Sequence, residues 1–282
     1  MAVKLGVLII HGIGTQKSDF ADGMVNDLVE QLGDLGFDRS DVAWQPVHWT
    51  PVLEPKQKEL WRKLSHNSEL GFVTLRQFVI NVLGDAIAYQ RVPGQGRENV
   101  YDSTHRVIHQ SVKTLRQQIG GDKPLVILAH SLGCYMISNY IWDRQKGFGE
   151  AAYAASAFER METVAGMVTF GCGIPLFMLA YTRIEPITFP SGTLARYFPD
   201  GTPAEELRRA ARWLNFYSRN DILGYPLRPL SPEYAETVNE DIAINVGGLL
   251  TSWNPASHTQ YWTDSNLTRP AAELIGGLLK LL

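Results

Sequence analysis

The sequence predicts an α/β protein with a mostly parallel central sheet that is flanked by helices. Short apolar runs alternate along the chain with amphipathic stretches, which is the order of elements in such a sheet. Residues 3–10, 124–129 and 164–170 are almost wholly apolar, as strands are when helices cover both faces of the sheet. Glycines end or follow two of these runs, where a strand would turn into the next element.

The remaining elements follow from the same patterns. A helix is predicted from Ser18, with Phe20, Met24, Leu28 and Leu32 on one stripe and Gly36 near its end. Further strands are predicted at residues 42–49, 213–218 and 242–246, and further helices from about residue 103 to 119, at 132–142 and at 271–282. The chain, 1–282, therefore suits a single domain of ordinary size.

Residues 51–100 interrupt this alternation. An amphipathic helix is predicted from the spacing of six apolar residues, namely Leu75, Phe78, Val79, Val82, Leu83 and Ile87. A shorter helix is predicted around Leu60, Trp61 and Leu64, and a polar loop at 93–99 returns the chain to the main pattern. We interpret 51–100 as a helical insertion, which is either a cap over a site or an additional packing layer.

Composition excludes several classes of protein. The net charge of −3 carries no excess of Lys and Arg, so no nucleic-acid partner is expected. Two cysteines in 282 residues do not form a disulfide scaffold, which favours a reducing, cytoplasmic compartment. Residues 163–182 lack charge, but Gly171, Gly173 and Pro175 interrupt them, so no transmembrane segment is predicted.

Ser131 is the strongest candidate for a reactive residue. It lies in Ala129-His-Ser-Leu-Gly133, between a predicted buried strand and a predicted apolar helix. This resembles the G-x-S-x-G turn, in which small flanking residues are needed because the serine backbone is strained and a neighbouring chain passes close to it. Ala129 replaces the first glycine of that pattern. The five residues occur easily by chance, and their position between strand and helix is what favours a nucleophile.

A serine nucleophile needs donors for the oxyanion that forms on attack. His11-Gly-Ile-Gly14 follows the first predicted strand, at the sheet edge where Ser131 must also lie. A glycine-flanked turn there can direct the Ile13 N–H toward the serine, paired with the N–H of Leu132. We assign the loop to this role and regard the His11 imidazole as structural.

The segments Val7-Leu-Ile-Ile-His-Gly-Ile-Gly14 and Ala129-His-Ser-Leu-Gly133 together resemble the lipase and esterase branch of the α/β-hydrolase superfamily. The first is similar to the oxyanion strand of small bacterial lipases and the second to their A-H-S-x-G turn. The resemblance implies an α/β-hydrolase fold and a triad in the chain order Ser, Asp or Glu, His. The insertion at 51–100 departs from the minimal lipase pattern.

Asp221 and His258 complete the implied triad. Asp221 follows the predicted strand 213–218 directly, as the acid of this family does, and His258 is the only histidine after it. A turn-forming role is the alternative for Asp221. Asp241 is the second candidate for the acid, but it begins a strand and would lie at the opposite edge. Tyr261 and Trp262 are placed to pack near the imidazole.

These residues predict a serine hydrolase that cleaves a carboxylic ester through an acyl-serine intermediate. Thioester or amide hydrolysis uses the same triad, and a non-catalytic binding protein on this fold is a further alternative. The expected partner is a small-molecule or lipid-like ester, and residues 173–199 are rich in aromatics that could line an acyl pocket. No cofactor and no metal are expected; His105 and His109 have a metal-binding spacing but no third ligand. The oligomeric state stays open.

Overall fold

In the residues that the computed structural model describes, six parallel strands form one sheet in the order β2-β1-β3-β4-β5-β6. The structure describes residues 2–66, 72–90, 99–148, 155–246 and 255–282. The strands are β1 (Leu5–Ile10), β2 (Val42–Val47), β3 (Leu125–His130), β4 (Val164–Phe170), β5 (Arg212–Ser218) and β6 (Glu240–Ile244). The predicted fold class, a mostly parallel sheet flanked by helices, is confirmed.

Nine α-helices are found in these ranges. They are α1 (Asp22–Asp34), α2 (Glu54–Ser65), α3 (Val73–Ala88), α4 (Val100–Ile119), α5 (Leu132–Lys146), α6 (Ile174–Met178), α7 (Ala204–Ala210), α8 (Pro232–Thr237) and α9 (Ser265–Leu279). None of them combines the length and the apolar character that crossing a bilayer requires.

Two hydrophobic cores lie on the two faces of the sheet. Residues alternate in direction along β3, so Ile127 and Ala129 enter one core while Val126 and Leu128 enter the other. Helices α4, α5 and α8 cover the first face, and α1, α7 and α9 cover the second. Because both faces are covered, the strands read as continuous apolar runs, which explains why the sequence predicts them well.

Several helix boundaries differ from the prediction because side-chain caps set them. Helix α4 begins at Val100, three residues earlier than predicted, since the Asn99 side chain accepts the Asp102 N–H at 2.8 Å. Helix α9 begins at Ser265 rather than near 271, because Asp264 accepts the Asn266 N–H at 2.9 Å. Helix α1 begins at Asp22, so Phe20 precedes it, while Met24, Leu28 and Leu32 are buried as predicted.

The predicted insertion contains α2 and α3, which pack on each other. Leu83 and Ile87 from the predicted apolar stripe of α3 are 53% and 72% exposed, so this end of the stripe faces outward. The side chains of Leu75, Phe78, Val79 and Val82 lie outside the described residues, as do loop residues 93–98. The role of 51–100 as a cap therefore stays a prediction.

A buried polar ladder joins β4, β5 and β6. Thr169 donates to Asn215 Oδ1 at 2.9 Å, and Asn215 Nδ2 donates to Asp241 Oδ1 at 2.7 Å. Asp241 also accepts the N–H groups of Leu227 and Arg228 at 2.9 and 2.8 Å. The ladder therefore fixes the chain segment that follows β5 to the edge strand, since each of these groups would be costly to bury unpaired.

Removal of the Asp241 carboxylate should destabilise the protein. We expect Asp241→Ala to lower the free energy of unfolding by about 2–4 kcal/mol, because three donors lose their acceptor. Urea denaturation measures this change. Asp200→Ala, at an exposed aspartate, is the control and should stay within about 0.5 kcal/mol of the parent. Equal stability of the two variants would contradict the structural role given to Asp241.

Candidate active site

The carboxyl ends of the parallel strands meet at one edge of the sheet, and the predicted site residues follow them. Gly12 follows β1, Ser131 follows β3, and Asp221 lies three residues after β5. Open α/β sheets bind ligands at this edge, where the loops are free to carry reactive groups. His258 approaches from a 3-10 helix, Pro255–Thr263, that follows β6 in the chain.

Ser131 occupies a strained turn between β3 and α5. Its backbone has φ 55° and ψ −125°, a left-handed conformation that is unfavourable for a residue with a side chain. The Ser131 N–H donates to Phe170 O at 3.0 Å, which fastens the turn to β4. The strain is tolerated because tertiary contacts determine the conformation. This conformation places the Ser131 hydroxyl at the edge of the sheet.

Two glycines make room for this turn. A Cβ at Gly133 would lie 2.5 Å from His11 O, so α5 can start against β1 only with glycine there. A Cβ at Gly12 would lie 2.4 Å from Ser131 Cβ and 3.0 Å from its Oγ. The chain after β1 therefore runs directly past the serine, and any larger side chain at Gly12 would displace one or the other.

Ser131, His258 and Asp221 form one hydrogen-bonded row. His258 Nε2 is 2.6 Å from Ser131 Oγ, and His258 Nδ1 is 2.9 Å from Asp221 Oδ2 and 3.0 Å from Oδ1. The three residues are only 4–5% exposed. Since a carboxylate can only accept, Nδ1 carries the proton and Nε2 is left to accept from the serine hydroxyl. This is the geometry in which an imidazole can remove a hydroxyl proton.

Asp221 is held in its charged form. Burial would raise the pKa of its carboxyl, but hydrogen bonds from His258, from the Leu223 N–H at 2.9 Å and from Tyr261 outweigh burial. The pKa of Asp221 therefore lies below its ordinary value. A carboxylate that stays ionised keeps the His258 tautomer fixed and stabilises an imidazolium beside it.

Tyr261 is part of the site in a way that the sequence did not reveal. Its hydroxyl donates to Asp221 Oδ2 at 2.8 Å and accepts the Ser218 N–H at 2.9 Å. The sequence indicated only that this ring would pack near the imidazole. Its position three residues after His258, within one helical turn, is the signal that places it on the same side of the 3-10 helix.

The ring beside His258 is that of His130. The two imidazole centroids are 4.8 Å apart, and His130 Nε2 donates to His258 O at 2.8 Å. Burial and the neighbouring His258 lower the pKa of His130 to about 3, so the ring is neutral at ordinary pH. It packs on Phe170 at 5.2 Å, and thereby supports the 3-10 helix from the sheet.

The turn predicted to bind an oxyanion lies next to Ser131. Ile13 directly follows Gly12, and Leu132 is the first residue of α5, where helical N–H groups lack an intrahelical partner. His11 is structural, as predicted: it is fully buried, it stacks on Trp49 at 4.9 Å, and Trp49 Nε1 donates to His11 O at 2.9 Å. Burial lowers the pKa of His11 to about 3.

The other candidates lie apart from this row. Asp241 lies in β6, and its carboxylate is used in the polar ladder, where it accepts from Asn215. His105 Nε2 bonds to the Tyr89 hydroxyl at 2.8 Å, and His109 Nδ1 to the Tyr140 hydroxyl at 3.1 Å. Among the described residues, no group of three His, Cys, Asp or Glu could hold a metal ion.

A cavity of about 250 Å³ lies along α5, where Tyr135, Trp142 and Asp143 are among its lining residues. Aromatic side chains form much of its lining, namely Tyr89, Tyr101, Tyr135, Trp142, Tyr181 and Tyr234. The predicted aromatic segment 173–199 contributes Met178, Tyr181, Arg183 and Glu185 to the lining. Phe177 stacks on Tyr135 with centroids 4.2 Å apart, and so stabilises that wall.

Comparison with known proteins is limited to three-dimensional structure, because no protein-family model and no curated protein matches the sequence. A protein from Xanthomonas campestris assigned as an α/β-superfamily hydrolase is 11% identical, with 96% and 97% of the two chains covered and a TM-score of 0.42. A metagenome-derived lipolytic enzyme of the LipS and LipT pair is 14% identical, with 98% and 95% covered and a TM-score of 0.40. The pyrethroid hydrolase PytH is 14% identical, with 99% and 98% covered and a TM-score of 0.38.

At these TM-scores and identities the likenesses assign neither a fold nor a substrate to this chain. The assignment of the fold depends on the chain's own features: the order of six parallel strands, with the serine turn after β3. Asp221 follows β5, and His258 follows β6. The protein has the α/β-hydrolase fold.

Proposed function

We propose that the protein is a serine hydrolase that cleaves carboxylic esters through an acyl-Ser131 intermediate. The observation that carries this proposal is the continuous row from Ser131 Oγ through the His258 imidazole to the Asp221 carboxylate, with contacts of 2.6 and 2.9 Å. In the proposed reaction, Asp221 orients His258 and stabilises its charged form. No cofactor takes part.

In the first half of the reaction, Ser131 Oγ attacks the ester carbonyl carbon while its proton passes to His258 Nε2. The carbonyl oxygen becomes an oxyanion, which the N–H groups of Ile13 and Leu132 would stabilise. When this intermediate collapses, the bond to the alcohol oxygen breaks, and His258 returns its proton to the departing alcohol. The acyl group remains on Ser131.

In the second half, water repeats these steps. His258 removes a proton from the water as it attacks the acyl carbon, and the oxyanion forms again at the same two N–H groups. Collapse of this intermediate breaks the bond to Ser131 Oγ, which recovers its proton from His258. The products are a carboxylic acid and the free enzyme.

The row of contacts argues against a non-catalytic binding protein. Such a protein would not need a serine in a strained backbone, nor an imidazole with one nitrogen held by a carboxylate and the other on the serine. Thioesters and amides can react by the same steps, so the acyl-transfer chemistry is better supported than the identity of the leaving group.

We further propose that the cavity along α5 receives the apolar group of the substrate. Its volume of about 250 Å³ lies just below the usual range of ligand pockets, roughly 300–1,000 Å³. Tyr135, one of its lining residues, lies one helical turn after the nucleophile. This size favours short or medium acyl chains over the long chains of fats.

Loss of the Ser131 hydroxyl should abolish covalent labelling. A fluorophosphonate probe should label the parent protein and leave Ser131→Ala unlabelled, because the phosphorus is attacked only by an activated serine. Ser131→Ala should also lose ester hydrolysis by at least about 10⁴-fold. Labelling is read by intact-mass spectrometry.

Ser111→Ala, at a serine whose hydroxyl bonds to Val107 O within α4, is the matched control and should label normally. Absence of labelling in the parent, or equal labelling in Ser131→Ala, would contradict the proposed function.

Loss of the Tyr261 hydroxyl should make Asp221 less effective in its proposed role. We expect Tyr261→Phe to lower kcat by roughly 10-fold, because Asp221 loses one of the hydrogen bonds that keep its pKa low. Stability should fall by about 1–3 kcal/mol, since the Ser218 N–H loses its acceptor. Tyr225→Phe is the control: its hydroxyl bonds to Ile222 O in the same region, at an exposed position. Activity would be unchanged in both variants if Tyr261 had no part in holding Asp221.

Acyl length should affect the rate strongly. With nitrophenyl esters, kcat/KM should be high for acetate and butyrate and should fall for laurate and palmitate, because the cavity is too small for a long chain. Matched thioester and anilide substrates with the same acyl group would rank the leaving groups. A flat response across acyl lengths would contradict the role given to the cavity.

A further inference from the structure

The insertion contacts the turn after β1 through one buried carboxylate. Asp85 of α3 accepts the Gly14 N–H on Oδ2 at 2.8 Å and the Gln57 side-chain amide of α2 on Oδ1 at 2.6 Å. Asp85 is only 2% exposed. Both helices of the insertion therefore meet the 12–14 turn at this residue.

The bond to Gly14 acts between two other points at which the turn is held. The start of the turn is fixed where Trp49 donates to His11 O at 2.9 Å. Its end is fixed where the Gln16 N–H donates to Thr50 Oγ1 at 3.2 Å. Gly14 lies between these points with φ +87°, and its N–H belongs to the peptide unit that directly follows Ile13.

Burial of a carboxylate at this position is energetically unfavourable. Burial raises the pKa of Asp85 to about 6, and the bonds from Gly14 and Gln57 only partly offset this effect. At neutral pH the side chain is therefore ionised where the surroundings disfavour charge. Packing of α3 alone does not require a charged side chain at this position. The role of Asp85 must therefore come from the two hydrogen bonds that its carboxylate accepts.

We propose that Asp85 is a positioning residue, through which the insertion holds the 12–14 turn in the conformation that directs the Ile13 N–H to the reacting oxygen. The inference rests on the proposed hydrolase function. It also makes the insertion an integral part of the site: a movement of α3 would move the oxyanion turn with it.

The pH dependence of stability follows from the same group. Because the folded pKa lies above the unfolded one, the folded state binds the proton more tightly, and stability falls as pH rises from about 4 to about 6 and then levels off. The charged groups near Gln57 are Glu54 and Lys58, which pair with each other at 2.7 Å. On the turn, His48 contacts Gln16 O at 2.8 Å.

The test compares Asp85→Leu, which removes both acceptors at similar volume, with Asp85→Asn, which keeps one acceptor for Gly14. We expect kcat for a nitrophenyl ester to fall by roughly 10–100-fold in Asp85→Leu with KM nearly unchanged, because transition-state stabilisation is lost and binding is not. Asp85→Asn should stay within about threefold of the parent. At pH 8 Asp85→Asn should have a Tm at least as high as that of the parent, and this gain should shrink toward pH 4.

Amide hydrogen exchange supplies a measurement independent of catalysis. The Gly14 N–H should exchange at least about 10-fold faster in Asp85→Leu than in the parent and be protected in Asp85→Asn. Lys58→Ala, an exposed change on α2, is the control and should alter neither kcat nor exchange. If Asp85→Leu does not fold, Asp85→Ala takes its place.

Parental kcat or parental Gly14 exchange in the folded variant without an acceptor would overturn the proposal. Failure of both Asp85→Leu and Asp85→Ala to fold, with Asp85→Asn active, would make Asp85 a structural residue and would also overturn it. A parent protein that neither labels with a fluorophosphonate nor hydrolyses any ester would instead refute the hydrolase function. The exchange result would then still report whether Asp85 holds the turn.

Discussion

The site depends on the backbone of Ser131, which is held in a left-handed conformation between β3 and α5. An isolated peptide would not keep this conformation, because it places the side chain against its own backbone. Three neighbours enforce it: the Phe170 carbonyl of β4 accepts its N–H, Gly12 leaves room for its side chain, and Gly133 lets α5 begin against β1. The position of the hydroxyl therefore depends on β1 and β4 as well as on the pentapeptide that contains it.

Within the row, the surroundings favour the charged form of Asp221. Asp221 stays charged because His258, Leu223 and Tyr261 donate to it in a place where burial alone would neutralise it. His11 and His130 lie close by but are neutral, since burial lowers the pKa of each to about 3. A second positive charge would compete with the imidazolium that the proposed reaction forms, and burial of these two rings prevents it.

The insertion interrupts the alternation of strands and helices, and it contacts the turn after β1 directly through a hydrogen bond. Its sequence indicated two helices and left open whether they cover the site or only pack beside it. The bonds of Asp85 to Gly14 and Gln57 join both helices to the turn. This arrangement couples a segment with exposed apolar residues, such as Ile87, to the geometry proposed for the oxyanion. Such coupling requires a buried hydrogen-bond acceptor, and the Asp85 carboxylate has two acceptor oxygens.

The sequence by itself determined the α/β class, the approximate position of each strand, and the three residues that meet at the sheet edge, Ser131, Asp221 and His258. This was possible because buried parallel strands and the turns that end them are local patterns. Chain order alone singled out His258, while Asp221 was preferred to Asp241 by its place after a strand. Caps such as Asn99 shifted helix boundaries by a few residues, since a single side-chain bond decides them.

Only the tertiary structure decided the roles of Tyr261, His130 and Asp85. Each acts through hydrogen bonds to residues distant in the sequence, and the sequence does not identify these partners. The sequence can show where strands end, but which side chains meet there depends on how the sheet twists and how the loops pack on it.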